Sequence, residues 1–281
     1  MQKIALIVDS ACDLPLEFIN EKNIKLLPLR VTYSHGEYKD MIDITADEIY
    51  KNLEKEIPKT SLPSAEDLEN ILIELENNGY THVIAVTISS GLSGTFNSIR
   101  LALEDHPKLT SYVFDTKILA MPEGIVAIEV AKLIEKGASF DEIVNAIPEI
   151  RRNITGYFTI STLDYLKKGG RIGKVAGTIG EMLNIKPIVS VDEEGVYYTV
   201  CKARGRKQSI SKLTEILKSS LLEGPCNVWV LHGGVLEEAQ SVLESLKNLD
   251  NIVSIGISQI SPALGVHGGP GLLGLAIQKV R

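Results

Sequence analysis

Apolar and polar positions along this chain follow two regimes. In the first half, short apolar runs of strand length are separated by stretches with apolar residues at helical spacing. Residues 4–8 form the first run, residues 23–33 hold a second with β-branched side chains, and residues 82–88 a third. Between them Leu68, Ile71, Leu72 and Leu75 recur at i, i+3, i+4 and i+7, the spacing of one helix face. Thr45 and Glu48 form a capping box, in which a hydroxyl and a carboxylate satisfy free backbone N–H groups. Ser64 opens a second helix that Gly79 closes, and Ser139 with Glu142 opens another. The segment AVTISSGLSGTFNS (residues 85–98) breaks from an apolar run into serines and glycines, and a helix carrying Phe96, Ile99 and Leu103 follows. Strands separated by helices predict parallel pairing with right-handed crossovers. Ligands of such sheets gather at the carboxyl ends of the strands. Asp9-Ser10, Ser89-Ser90 and Asp115-Thr116 all fall there, which places them on one rim.

The pattern changes near residue 155. Residues 154–160 are strand-like, and STLDYLKKGGRIGKVAG is a helix running into a basic, glycine-rich turn. Residues 185–191 and 196–203, joined by DEEG, read as a hairpin, so this half contains antiparallel pairing. Helix 207–222, strand 227–231, helix 235–247 and strand 252–260 follow, and HGGPGLLGLAIQKVR is either a strand or a short helix. No Pro/Ser-rich linker divides the halves. The expected architecture is α/β: a parallel three-layer domain over 1–155 and a mixed-sheet domain over 156–281, tightly packed with a cleft between them.

Composition narrows the function. Of 281 residues, 44% are hydrophobic and 23% charged, an ordinary globular profile. No apolar run approaches the roughly 18 residues of a membrane span. The N-terminus reads as a buried strand and not as a signal peptide, so a cytoplasmic location is expected. A net charge of −7 gives no support to a nucleic-acid partner. Cys12, Cys201 and Cys226 are odd in number and lack a CxxC, so free thiols are expected in place of disulfides or a zinc site.

Several motifs fail on context. GPGLLG (269–274) matches the dinucleotide fingerprint, but no crossover follows it. GGRIGKV lacks Walker A spacing and its magnesium-binding hydroxyl. GLSG (91–94) falls one residue short of a nucleophile elbow. A serine-dependent hydrolase or acyltransferase using Ser93 with His267 is nevertheless conceivable as the alternative reading. Metal ligation has no cluster at ligand spacing. What remains is a hydroxyl-rich turn before a helix, where Ser93 or a neighbour caps and outward N–H groups favour an anion. KTSLPS (59–64) is a second hydroxyl turn before a helix. Basic, glycine-flanked turns at Lys167, Lys168 and Arg171, and at Lys202, Arg204, Arg206 and Lys207, suit phosphate or carboxylate. A small polar metabolite or sugar phosphate would need more charge than the apolar flanks offer.

VDSACDLP, KTSLPS, TISSGLSGTFNS, FDTK, LDYLKKGGRI, ARGRK and GVHGGPGLLG resemble, in order, the blocks of the DegV family. The resemblance runs over essentially the whole chain. It departs after FDTK, where the family tends to small residues and glycines and this chain has ILAMPEG. Members of the family look like bacterial fatty-acid-binding proteins, including the binding subunits of fatty acid kinase.

The resemblance implies a carrier, not an enzyme, that presents a fatty acid carboxylate to a kinase for acyl phosphate formation and so feeds phospholipid synthesis. It implies that Thr60 or Ser61, together with Ser93 and His267, hold the carboxylate. Arg171 and Arg204 are the implied contacts to acyl phosphate or kinase. Implied partners are a long-chain fatty acid, the kinase catalytic subunit and, transiently, a membrane surface, with no cofactor. Leu62, Ile160, Leu163, Met182, Leu183, Ile188 and Leu264, near the motifs, are expected tail contacts.

Overall fold

The computed structural model describes residues 2–178 and 184–280. The elements run β1 (Ile4–Asp9), α1 (Leu16–Glu21), β2 (Lys25–Leu27), β3 (Arg30–Tyr33), β4 (Gly36–Lys39), α2 (Ala46–Asn52), β5 (Lys59–Ser61), α3 (Ala65–Asn77), β6 (His82–Thr87), α4 (Thr95–Glu104) and β7 (Thr110–Asp115). They continue as α5 (Met121–Glu135), α6 (Phe140–Arg152), β8 (Ile154–Thr159), α7 (Asp164–Lys168), β9 (Ile185–Val191), β10 (Tyr197–Arg204) and α8 (Gly205–Leu222). The chain ends with β11 (Cys226–Gly233), α9 (Leu236–Leu246), β12 (Ile252–Gln259), α10 (Pro262–Gly268) and β13 (Leu272–Lys279).

The expected parallel sheet forms with strand order β2-β1-β6-β7. The second sheet, β10-β9-β8-β13-β11-β12, is mixed: β11 and β12 pair in parallel and the other neighbours are antiparallel. The last segment is the strand alternative: β13 (Leu272–Lys279) runs through the sheet's centre, and only the segment's first two residues, 267–268, end the preceding helix α10. The division expected between 155 and 156 falls within β8.

Between the sheets lies α5, which packs against β1 and β6 of one and β8 and β13 of the other. Its residues from Met121 to Val126 are all buried, as a helix covered on both sides requires. The largest apolar core surrounds it and joins Leu6, Ile84 and Val126 to Ile154, Val189 and Ala276. Alternation along β9 sends Val189 into this core and Ile188 into a separate one beneath Leu213 and Leu217 of α8.

A third sheet, β4-β3-β5, is absent from the sequence expectation. It corrects one reading: Lys59, Thr60 and Ser61 are not a turn but a strand, paired with Thr32, Val31 and Arg30. Only after it does Ser64 accept from the N–H of Asp67 to cap α3. Both expected capping boxes are present, Thr45 with Glu48 and Ser139 with Glu142.

The rim residues meet as expected. Asp9 accepts from the N–H groups of Ala11 and Ile88, and Asp115 accepts from that of Ser90. These contacts knit the rim and leave little free to bind. Ser89 donates to the carbonyl of Gly195, in the β9–β10 turn, at 2.7 Å. A side chain on Gly91 would strike that same carbonyl, so the serine-rich turn is clasped by the hairpin of the second sheet.

Candidate functional site

Strand β5, the β6–α4 turn, the α7 turn and helix α10 converge on one cavity of about 200 Å³, mostly apolar, with a few polar groups gathered in its wall. Thr60, Ser61, Leu62, Ser93, Arg171 and His267 all line it. His267 stands on the last turn of α10, and its Nε2 lies 2.7 Å from Thr60 Oγ1. Its Nδ1 is buried with no protein partner and faces Gly169, where an added Cβ would sit 2.1 Å away. Glycine is therefore required in the basic turn to make room for the imidazole. Burial, and secondarily Arg171, lowers the His267 pKa to about 4, so the ring is neutral at physiological pH.

Ser93 Oγ is 2.8 Å from Thr95 Oγ1, and the Ser93 N–H donates to the carbonyl of Ser89. Of Ser93 and its neighbours it is Gly94 that stands at the N-cap of α4, without a side-chain bond. The helix thus ends in uncapped N–H groups beside Ser93, which favours an anion there. Ser93 and His267 share the cavity, yet each is bonded elsewhere, and no base stands within hydrogen-bond distance of Ser93 Oγ among the described residues. Arg171 is half-buried, donating from Nε to the carbonyl of Leu92 and from Nη1 to that of Gly169. The two bonds fix the guanidinium at the cavity wall.

Arg204 is not brought to this cavity. It ends edge strand β10 with an exposed side chain, and its N–H is taken by Gln208. In the same basic segment Arg206 is consumed by Glu238 and the carbonyl of Gly271. Of the expected tail contacts, Leu62 and Leu264 line the cavity, while Ile160 and Leu163 pack into the adjoining core. Ile188 does not face it, for the alternation already given, and Met182 and Leu183 lie outside the described residues.

Adjoining this cavity is an almost wholly apolar one of about 50 Å³, whose walls include Pro122, Phe158, Leu231, Ile260 and Leu272. Leu119, Tyr197 and Leu264 line both. On its other side the larger cavity adjoins an outer groove, which shares Thr60, Arg171 and His267 and adds Lys59 and Lys168. The order is an apolar chamber, a ring of hydroxyls and imidazole, and a basic mouth.

Residues 3–280 match the family model described as "Uncharacterised protein, DegV family". The chain belongs to the DegV family. A DegV domain-containing protein of Clostridium acetobutylicum is 50% identical over 279 residues, covering 99% of this chain and 100% of the relative. Among solved structures, a fatty-acid-binding DegV family protein of Streptococcus agalactiae superposes with a TM-score of 0.91 at 31% identity, covering 100% of both chains. The structure described as fatty acid binding of a DegV family protein from Thermus thermophilus superposes with a TM-score of 0.92 at 27% identity, covering 99% of this chain and 100% of that one. The DegV fold is thus shared from end to end.

Four features in and around these cavities carry no signal in the sequence. Tyr197 and Leu119 looked like ordinary strand and loop residues. Lys59 carried no sign of its place at the mouth. The fourth is a buried acidic group near the N-terminus of α10. There Asp13 accepts from the Ser261 N–H, and Asp40 from the Ala263 N–H and the Ser10 hydroxyl. Burial raises the pKa of Asp9 and of Asp40 to about 7, and pushes Asp13 and Glu123 well up. Among the described residues no group of three or more His, Cys, Asp or Glu is arranged to hold a metal. No helix among them is long and apolar enough to cross a membrane.

Proposed function

We propose that this protein binds one long-chain fatty acid, its carboxylate among Thr60, Ser61, Ser93 and His267 and its tail directed into the apolar chamber, which at about 50 Å³ must widen to take the whole chain. The observation that carries the reading is the His267–Thr60 pair standing between an apolar cavity and a basic mouth. The fatty-acid-binding DegV proteins of Streptococcus and Thermus support it.

The energetics divide accordingly. A sixteen-carbon tail contributes up to roughly 12 kcal/mol at about 0.8 per methylene, before association costs. Hydrogen bonds to a charged acceptor add about 1.5–3 kcal/mol each. The tail then supplies affinity and the polar ring supplies register. With neutral His267 donating from Nε2 to Thr60, the threonine O–H is free to donate to a carboxylate. The bare Nδ1 then carries only a lone pair, and an unpaired buried acceptor is better tolerated than an unpaired donor.

We also propose that the chain, read as domains 1–155 and 156–281, acts in the cytoplasm as a carrier without catalysis of its own. It presents the carboxylate to the catalytic subunit of a fatty acid kinase, which supplies ATP and metal, and touches a membrane surface transiently while loading. Acyl phosphate leaves toward phospholipid synthesis. Arg171, at the mouth, contacts the acyl phosphate or the kinase, and exposed Arg204 is left for the kinase alone.

Equilibrium dialysis of delipidated protein against labelled palmitate tests the binding, with one equivalent taken up as the expected result and no uptake as the contrary one. Adding a bacterial fatty acid kinase subunit, ATP and magnesium and trapping the product as a hydroxamate tests the carrier role. Hydroxamate that forms equally without this protein would remove that role.

A further inference from the structure

Leu119, Tyr197 and Leu264, from the β7–α5 loop, β10 and α10, stand where the two cavities meet and line both. Each of the three is held from behind. The Tyr197 ring packs edge-on against Phe158, with centroids 5.3 Å apart and planes at 73°. Leu264 rides on α10, whose first N–H groups are bound by Asp13 and Asp40 at 2.8 Å each.

Leu119 is held in the least ordinary way. The loop that carries it turns through two left-handed residues that are not glycine, Lys117 at φ 55° and Ala120 at φ 61°. With ψ at −159°, Ala120 occupies a region that is otherwise almost confined to glycine. Such a conformation persists only where the surroundings over-determine it, and here they do. The carbonyl of Ile118 accepts from the Ser89 N–H at 2.8 Å, and the Ala120 N–H donates to the carbonyl of Ala11 at 2.7 Å. The Thr116 hydroxyl ties the start of the loop to the carbonyl of Thr87 at 2.7 Å. Leu119 therefore sits between two anchored peptide groups and borders both cavities. This is the segment where the chain carries ILAMPEG.

We infer that Leu119 is a specificity-determining residue: with Tyr197 and Leu264 it forms a waist that passes an unbranched polymethylene chain and rejects a methyl branch at that depth. The inference rests on the fatty-acid reading of the site. A straight chain presents the same narrow section at every carbon, and a branch widens one carbon only. Three side chains braced by separate elements cannot all yield to it without breaking their supports.

The test is a binding profile of delipidated protein against hexadecanoic acid and hexadecanoic acids carrying a single methyl at successive positions. The waist requires that at least one position near the head third of the chain bind tenfold or more weakly than the straight acid, with positions on either side less affected. Leu119→Ala should lower the straight-to-branched ratio at that position at least fivefold, whatever it does to absolute affinity. Leu264→Ala, read the same way, serves if the first variant does not fold. A flat profile in the wild-type protein, or a ratio unchanged in both variants, overturns the waist while leaving fatty-acid binding intact. Failure of the wild-type protein to take up even the straight acid overturns the binding reading itself, and the waist with it.

Discussion

The Nε2 atom of His267 stands 2.7 Å from the hydroxyl of Thr60, although 207 residues of chain separate them. One lies on a short strand of the small sheet and the other on the helix before the last strand of the large one. Their meeting makes the polar ring a product of the whole fold and not of any single motif.

Thr60→Val keeps the shape of the strand and deletes the hydroxyl. Affinity for palmitate should fall about 10- to 100-fold, the worth of a bond to a charged acceptor. Melting should change little, and dialysis against labelled palmitate measures the first effect. Unchanged affinity would mean the carboxylate is held elsewhere.

Two adjacent glycines separate binding from stability. A Cβ on Gly169 would sit 2.1 Å from His267 Nδ1, whereas one on Gly170 meets nothing within 4 Å. Gly169→Ala should therefore weaken palmitate binding at least tenfold by displacing the imidazole. Gly170→Ala, at φ +72°, should cost about 1 kcal/mol of stability and leave binding alone. Dialysis and chemical denaturation of the pair distinguish the two outcomes.

Much of the fold is legible in the sequence. The capping boxes at Thr45 and Ser139 could be read because both partners lie within one turn. His267 could be read because it is a polar residue among glycines in an apolar turn. The small sheet was not legible, since β5 offers only Lys59, Thr60 and Ser61, three polar residues with no period to detect. The sequence leaves the N-cap of α4 to Ser93 or a neighbour, and it falls to Gly94, with Ser93 turned toward Thr95. Ile188 was misplaced because a strand buried on both faces shows no alternation in its sequence. The burial of Asp13 and Asp40 depends on contacts more than 200 residues away, which no local pattern reports.

Burial raises the Asp40 pKa from 3.8 to about 7 in the folded protein. Below about pH 4 the carboxyl is protonated folded or unfolded, and its contribution to stability is intact. Between about 4 and 7 only the unfolded chain releases the proton, so stability falls as pH rises through that window. His267, lowered to about 4, acts in the opposite sense between about 4 and 6.5. Comparison with Asp40→Asn isolates the carboxylate, since the amide still accepts from Ala263. The variant should gain on wild type from pH 4 to pH 7 by on the order of a few kcal/mol and then level off. Urea denaturation across that range measures it, and a pH-independent gap would contradict the account.

Ala120→Gly removes the cost of holding a side-chain-bearing residue at φ 61°. Stability should rise by about 1 kcal/mol, with the melting temperature moving upward. A lower melting temperature would mean that the methyl group's packing outweighs the backbone strain.

Native mass spectrometry of the protein purified without delipidation tests the central claim most directly. The account predicts a population heavier than the chain by one long-chain fatty acid, released on denaturation and restored when delipidated protein is given palmitate. A protein that arrives empty and stays empty with added long-chain fatty acid would contradict it.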